Sequence, residues 1–559
     1  MDSVNHFLAI VLHAHLPFVR HPEHDTFHEE NWLFEAIAEC YVPLLVQMEA
    51  WTQDRLPWKL TITLTPTLCT QLRDDLLRQR FERYLEERIE LSRRELERHL
   101  LQPKFGELAG FYLEFYRQVR ASWLRLNRDL VGAFAQHALD GHLEILTSAA
   151  THAFLPLLAD HPPSVRAQLH TAREHYESIF GKKPRGIWLP ECGYTPALDT
   201  ALQEASFTHF VLETHGILNA NPLPRRGVLA PLITPSGAAV FGRDPASAQQ
   251  VWSRTGGYPG DPRYREFHRD LVHDADRDYL RPLFSGGDTA AFTGLKYHRI
   301  TSHLPNVDKL PYSRSDALEA TQQHANHFLA SRRIQGDGTC KQLDRPALFV
   351  CPYDAELFGH WWFEGPQFLD AVVRGACETG SGLQLTTLIR YLEQFPTNQV
   401  SSPAASSWGE GGFAKVWLNP KNAWMQPLLR HARDRMERLV ELRHSVATSA
   451  ILPCELESRA LRQAGRELLL AQSSDWPFLV NAGTAGDYAR SRFLDHLANL
   501  SRLIDQLTDH AVDEHLVQEL ESRHPLFETL NPDHWRTQPH AAATPENAFK
   551  DQGSITTAR

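Results

Sequence analysis

The chain has 559 residues, too many for one minimal module and enough for about two to four domains. With 42% hydrophobic and 22% charged residues it has a globular composition, which excludes disordered and collagen-like chains. Its net charge is −11 with no Lys/Arg stripe to attract nucleic acid, and no apolar run approaches the roughly 20 residues that span a bilayer.

The first residues, Met1-Asp2-Ser3-Val4-Asn5-His6, lack a cationic stretch, so no signal peptide is expected. Seven cysteines lie scattered without a CxxC pair, which fits reduced thiols in a cytoplasm better than a disulfide framework or a zinc finger. A cytoplasmic enzyme is expected, monomeric, with no nucleic-acid or membrane partner.

In chain order, short and mostly apolar segments occupy residues 7–12, 60–64, 143–146, 186–189, 209–212 and 347–350. Such runs suit strands buried on both faces, as in a parallel sheet. Each stops at a polar or proline-containing group: His13-Ala14-His15, Thr65-Pro66, Thr147-Ser148, Pro190-Glu191, Glu213-Thr214-His215 and Cys351-Pro352-Tyr353-Asp354. Helical stretches intervene, for instance at 164–180 and 196–205. Strand–helix alternation means a barrel or a doubly wound sheet, and both place chemistry at the carboxyl ends of strands. The expected division is a strand–helix alternating domain at 1–70 and 141–415, a charged helical insertion at 71–140, a helical domain at 416–535 and a disordered tail at 536–559.

Glu191 stands at one such end, in Trp188-Leu189-Pro190-Glu191-Cys192-Gly193-Tyr194. Pro190 fixes the local φ, Gly193 allows a tight exit, and a charge between aromatic residues is costly without a purpose. Asp354 repeats the pattern and precedes Gly359-His360-Trp361-Trp362. The plain alternatives are a surface Glu opening a helix and an N-cap Asp. Two carboxylates on different strand ends are also the minimal kit for glycosidic-bond chemistry.

His13 and His15 share a face of their strand. They fit metal ligands of an amidohydrolase-type barrel, hydrogen-bonding partners of a sugar hydroxyl, or two core histidines. Glu144 is salt-bridged structure or part of the site, and Asp475, in Ser474-Asp475-Trp476-Pro477-Phe478, is a helix terminus or an acid over a sugar. Residues 251–262 contain three Gly, two Pro and Tyr258 near the tip, and read as a mobile loop, either a lid or without a role.

His15-Leu16-Pro17, Gly141-His142-Leu143-Glu144-Ile145, Trp188–Tyr194, Tyr353–Trp361 and Ser474–Phe478 resemble, in order, the five motifs of glycoside hydrolase family 57, and most of all those of its 1,4-α-glucan branching enzymes. The resemblance implies an α/β fold: an incomplete (β/α)7 TIM-like barrel with a helical insertion and a C-terminal helical domain. It implies a retaining mechanism without metal or cofactor, on α-glucans such as amylose, amylopectin and glycogen. By motif position Glu191 is the nucleophile and Asp354 the general acid/base. His13, His15, Glu144 and Asp475 then position substrate, Tyr258 tips a loop that favours transfer, and Trp32, Trp408 and Trp417 stack on glucan. An α-glucan hydrolase or 4-α-glucanotransferase of the same family is the alternative. One departure is the first motif, His-Leu-Pro here and His-Gln-Pro across the family.

Overall fold

The computed structural model describes residues 6–253, 256–281, 292–301, 309–339, 343–447 and 454–537. The expected tail beyond residue 537 lies outside the described residues. Among the described residues ten strands form one sheet: β1 (His6–Ala14), β2 (Leu60–Leu64), β3 (Leu143–Ser148), β4 (Gly186–Trp188), β5 (His209–Leu212), β6 (Leu232–Ile233), β7 (Ala239–Gly242), β8 (Leu348–Asp354), β9 (Leu383–Leu385) and β10 (Gln399–Val400).

Seven strands run parallel in the order β8-β1-β2-β3-β4-β5-β7, while β6 pairs antiparallel with β7 and carries β10. The sheet curls toward closure, and the backbone N–H of Asp244, just past β7, reaches the Val350 carbonyl of β8 at 2.8 Å. This is an incomplete (β/α)7 barrel. Its seventh parallel strand, β7, lies outside the sequence reading; it follows a tight Ser236-Gly237 turn.

The pleat sorts each strand into two cores. Along β1, Leu8, Ile10 and Leu12 join Leu60, Ile62 and Leu64 against the surrounding helices. Phe7, Ala9 and Val11 face the lumen with Leu146, Trp188, Val211, Phe241, Leu348 and Val350. Since alternate residues share a face, the lumen series continues to His13 on β1 and to Asp354 on β8. These two are register partners.

Helices Pro66–Arg73, Asp75–Arg98, Pro103–Arg125 and Leu130–Leu139 fill the interval between β2 and β3. The second is started by Asp74, whose side chain accepts the Leu77 N–H. The C-terminal helices include Met425–Ala447, Glu455–Ala471, Asp475–Ala482, Gly486–Thr508 and Glu514–Arg523. Their apolar core is shared with the barrel through Phe18, Ala150, Ala167 and Ala172. Among the described residues no helix is long and apolar enough to cross a membrane.

The loop expected at 251–262 is shorter than its composition suggests. Val251 and Trp252 end the helix Pro245–Trp252, Arg254 and Thr255 lie outside the described residues, and Tyr258 opens a 3-10 turn. After β8 the chain turns through Gly359 at φ +119°, where a Cβ would lie 1.9 Å from the Glu39 carbonyl oxygen. Gly359→Ala is therefore expected to destabilise the protein by more than the about 1–3 kcal/mol of a strained backbone position. Thermal unfolding checks this, and an unchanged midpoint would contradict it.

Candidate active site

Glu191 leaves β4 in a 3-10 turn, Pro190–Cys192, with φ of +62° at Glu191 and +50° at Cys192. Two successive non-glycine residues in the left-handed region cost about 1–3 kcal/mol each, and such strain concentrates where function demands it. Gly193, expected to supply the tight exit, is extended instead. It is a glycine because a Cβ would come within 2.6 Å of the Phe154 ring. The turn is clamped by the 406–408 segment: Tyr194 and Ser406 exchange backbone hydrogen bonds, and Trp408 N–H donates to the Glu191 carbonyl at 3.0 Å.

Each carboxylate oxygen of Glu191 has its own donor. The Trp408 indole N–H reaches Oε2 at 2.8 Å, and the Ser474 hydroxyl reaches Oε1 at 3.2 Å. Burial raises the Glu191 pKa; these two donors and His15 oppose the rise, while Asp475 adds to it. Asp354 is placed differently. Among the described residues no hydrogen bond reaches its carboxyl. Burial lifts its pKa well above the ordinary carboxylate value, the charges of Glu356 and Glu191 lift it further, and Arg243 opposes them. The lumen thus holds two acids, of which one has donors suited to an anion and the other is driven to keep its proton.

Around the pair the histidines form one network. His13 is stacked on Trp188 at 4.8 Å and hydrogen-bonds His152, Nε2 to Nε2, at 3.0 Å. His15 lies face to face with His152 at 3.7 Å, bonds Thr65 Oγ1 through Nδ1 and meets Asp475 Oδ1 through Nε2 at 3.1 Å. Asp475 starts its helix and is also held by the Ser473 hydroxyl at 2.5 Å. The C-terminal region therefore delivers Ser474 and Asp475 into the mouth of the barrel, tied by Ser474 N–H to the His152 carbonyl at 3.0 Å.

Four of the expected substrate contacts are placed elsewhere or used otherwise. Glu144 lies at the amino end of β3, on the lumen floor, within 2.8 Å of His209 and accepting from Thr61 and the Ile389 N–H. With about 3.3 Å of rise per residue it lies roughly 13 Å below the strand's carboxyl end, so it braces the barrel rather than meeting a sugar. Trp417 is 1% exposed and stacked on Phe154 at 4.4 Å, which leaves no indole face for a glucan. Trp408 spends its N–H on Glu191, and its ring meets Trp188 and Trp252 at 5.1 and 6.0 Å. Tyr258 is 8% exposed, stacked on His324 at 4.6 Å, with its hydroxyl 2.7 Å from His327 Nδ1. Packing buries this ring against the helix that carries His324 and His327. Trp32 is half-buried and edge-on to Tyr488.

Sequence reasoning missed His152, Ser474, Glu356, Glu213 and Arg243. Glu213 follows β5 directly and pairs with Arg243 at 2.8 Å, so the strand-end rule flags it. Glu356 accepts the His15 backbone N–H at 3.2 Å and the Tyr41 hydroxyl, and burial pushes its pKa up to about 7. His152 is reached by no such rule, because it is brought in by a left-handed turn at φ +56°.

Among the described residues two clusters present three ligand-type atoms within 4.8 Å of one another: His15, His152 and Asp475, and Glu467, His496 and His524. In the first, His15 is engaged by Asp475 and His152 by His13 and Ser474. In the second, Glu467 accepts from both imidazoles at 2.7 Å and from Gln463. Both are hydrogen-bonded networks in which these groups satisfy one another.

A curled parallel barrel presenting two carboxyl groups in unlike environments at its strand ends has the groups that glycosidic-bond chemistry requires. The model described as glycosyl hydrolase family 57 matches residues 9–336, and the chain belongs to this family. A second model, described as the C-terminal region of 1,4-alpha-glucan branching enzyme, matches residues 429–535. The chain is 34% identical to a 1,4-alpha-glucan branching enzyme of Thermococcus kodakarensis, covering 92% of this chain and 76% of that one. Among solved structures, the alpha-amylase AmyC from Thermotoga maritima superposes with a TM-score of 0.88 at 37% identity, covering 96% of this chain and all of that one. The branching enzyme from Pyrococcus horikoshii gives 0.84 at 33% identity, covering 96% and 97%.

The charge of Glu356 provides a test of the acid pair. Glu356→Gln removes a neighbour that raises the Asp354 pKa, so Asp354 loses its proton at lower pH. The alkaline limb of the kcat/KM profile is expected to move down in pH, and an unmoved or upward-shifted limb would contradict the assignment.

Proposed function

We propose that the protein is a 1,4-α-glucan branching enzyme acting by double displacement with retention. Glu191 attacks the anomeric carbon while Asp354 protonates the departing glycosidic oxygen, giving a covalent glycosyl-enzyme. Asp354, now ionised, takes the proton of an acceptor 6-hydroxyl, which displaces Glu191 and leaves an α-1,6 branch. The observation that carries this reading is the contrast between Glu191, with a donor on each oxygen, and Asp354, with acids around it. The branching specificity is supported by the match of residues 429–535 to the branching-enzyme C-terminal model and by the 34% identity to the Thermococcus enzyme.

His13, His15 and Asp475 line the mouth of the lumen and hold the sugar at the bond to be cut. Trp408 and Trp32, both only partly buried, support the glucan chain. The substrate is an α-glucan such as amylose, amylopectin or glycogen. The free cysteines among the described residues support a reducing compartment such as the cytoplasm, where the chain works as a monomer.

A second reading, hydrolysis, is favoured by the similarity to the Thermotoga amylase and by the burial of Tyr258. Water competes for the same intermediate, so the outcome depends on acceptor binding and water exclusion, not on the two carboxylates. Linkage analysis of amylose products separates them: new 1,6 links with few new reducing ends support branching, and reducing ends without 1,6 links support hydrolysis.

Glu191→Gln is expected to abolish turnover while leaving the fold intact. With α-maltosyl fluoride as donor, azide should restore Glu191→Ala and give the β-glycosyl azide, and restore Asp354→Ala and give the α-anomer. The opposite stereochemistry would exchange the two roles.

A further inference from the structure

We propose that Ser474, brought to the barrel by the C-terminal helices, is a positioning residue that orients Glu191 through a one-way hydrogen-bond relay from His13 and His152. The proposal rests on the reading of Glu191 as the nucleophile.

The relay is fixed by counting protons. Ser474 Oγ lies 3.2 Å from Glu191 Oε1 and 2.9 Å from His152 Nδ1, and it has one hydrogen to give. An ionised carboxylate only accepts, so the hydroxyl donates to Glu191 and must accept from His152 Nδ1–H. Burial keeps both His13 and His152 far below their ordinary pKa, so each neutral ring has one N–H. His152 Nε2 therefore carries a lone pair and accepts from His13 Nε2–H at 3.0 Å. His13 Nδ1 is left as a buried acceptor with no partner among the described residues. Every donor then points toward Glu191.

The geometry is held rigidly. Ser474 N–H binds the His152 carbonyl, Ser473 bridges Ala153, and His152 is kept in the left-handed region. The other oxygen of Glu191 takes the Trp408 N–H, so donors from two separate segments set the plane of the carboxylate. The remaining charged or titratable groups around it are Asp475, His15 and Asp354, with Arg243 and Glu213 behind. Ser474 is the hydrogen-bonded link between the carboxylate and the histidine pair, and His152 Nδ1 itself stands 3.8 Å from Glu191 Oε1.

The test is the pH profile of kcat/KM, whose acidic limb reports ionisation of the nucleophile in the free enzyme. Ser474→Ala is expected to lower kcat/KM roughly 10- to 100-fold, the weight of a hydrogen bond to a charged group, and to shift the acidic limb to higher pH. Ser474→Thr should restore both. Ser474→Cys, nearly isosteric but a weak donor, should shift the limb as Ala does, and it serves if the Ala variant loses its fold by circular dichroism. His152→Phe, which keeps a ring against His15, should move the limb in the parent but no further in Ser474→Ala. An unmoved limb in the Ala and Cys variants, or additive shifts in the double variant, would overturn the relay. Those results with an inactive Glu191→Gln sink the relay alone, whereas an active Glu191→Gln sinks the nucleophile reading beneath it.

Discussion

Two carboxyl groups must share one poorly solvated lumen without behaving alike, and the architecture of the site follows from that constraint. Burial alone pushes both Glu191 and Asp354 toward the neutral form. What separates them is where the hydrogen-bond donors are. Trp408 and Ser474 each serve one oxygen of Glu191, while Asp354 has the negative charges of Glu356 and Glu191 for neighbours. One environment suits attack and the other proton donation, from side chains of nearly the same chemistry.

The same arrangement explains why the C-terminal helices belong to the site. Ser474 and Asp475 come from beyond the barrel, and the apolar cluster that joins the two regions buries Phe18, Ala150 and Ala167 with Met436, Leu468 and Leu469. Left-handed backbone at Glu191, Cys192 and His152 persists only where surrounding packing over-determines it. That packing comes from both regions, so neither completes the surroundings of Glu191 alone.

Much of the fold was legible because buried parallel strands write themselves as short apolar runs. Residues 60–64 and 209–212 are read at the bounds the structure gives, and the alternation along β1 carries His13 into the lumen. The strand-end rule points to Glu191 and Asp354 for a physical reason, since a charge there is costly to place idly, and the structure puts both at strand ends. It fails for Glu144, which lies on a strand but at its amino end, and depth along a strand is not visible in a motif. Trp417 and Tyr258 mislead because an aromatic suits a sugar face and a core equally; only packing against Phe154 and His324 decides. His152 and Ser474 are invisible for another reason. They meet Glu191 across 39 and 283 residues of sequence, and no local pattern encodes that meeting.

The central claim is that Glu191 carries the sugar between the two halves of the reaction. Trapping with a slow-reacting 5-fluoro-glycosyl fluoride, followed by proteolysis and mass spectrometry, tests it most directly. The account predicts one glycosyl adduct, within the peptide containing Trp188–Tyr194 and located on Glu191. An adduct on Asp354, Asp475 or any other side chain would contradict it.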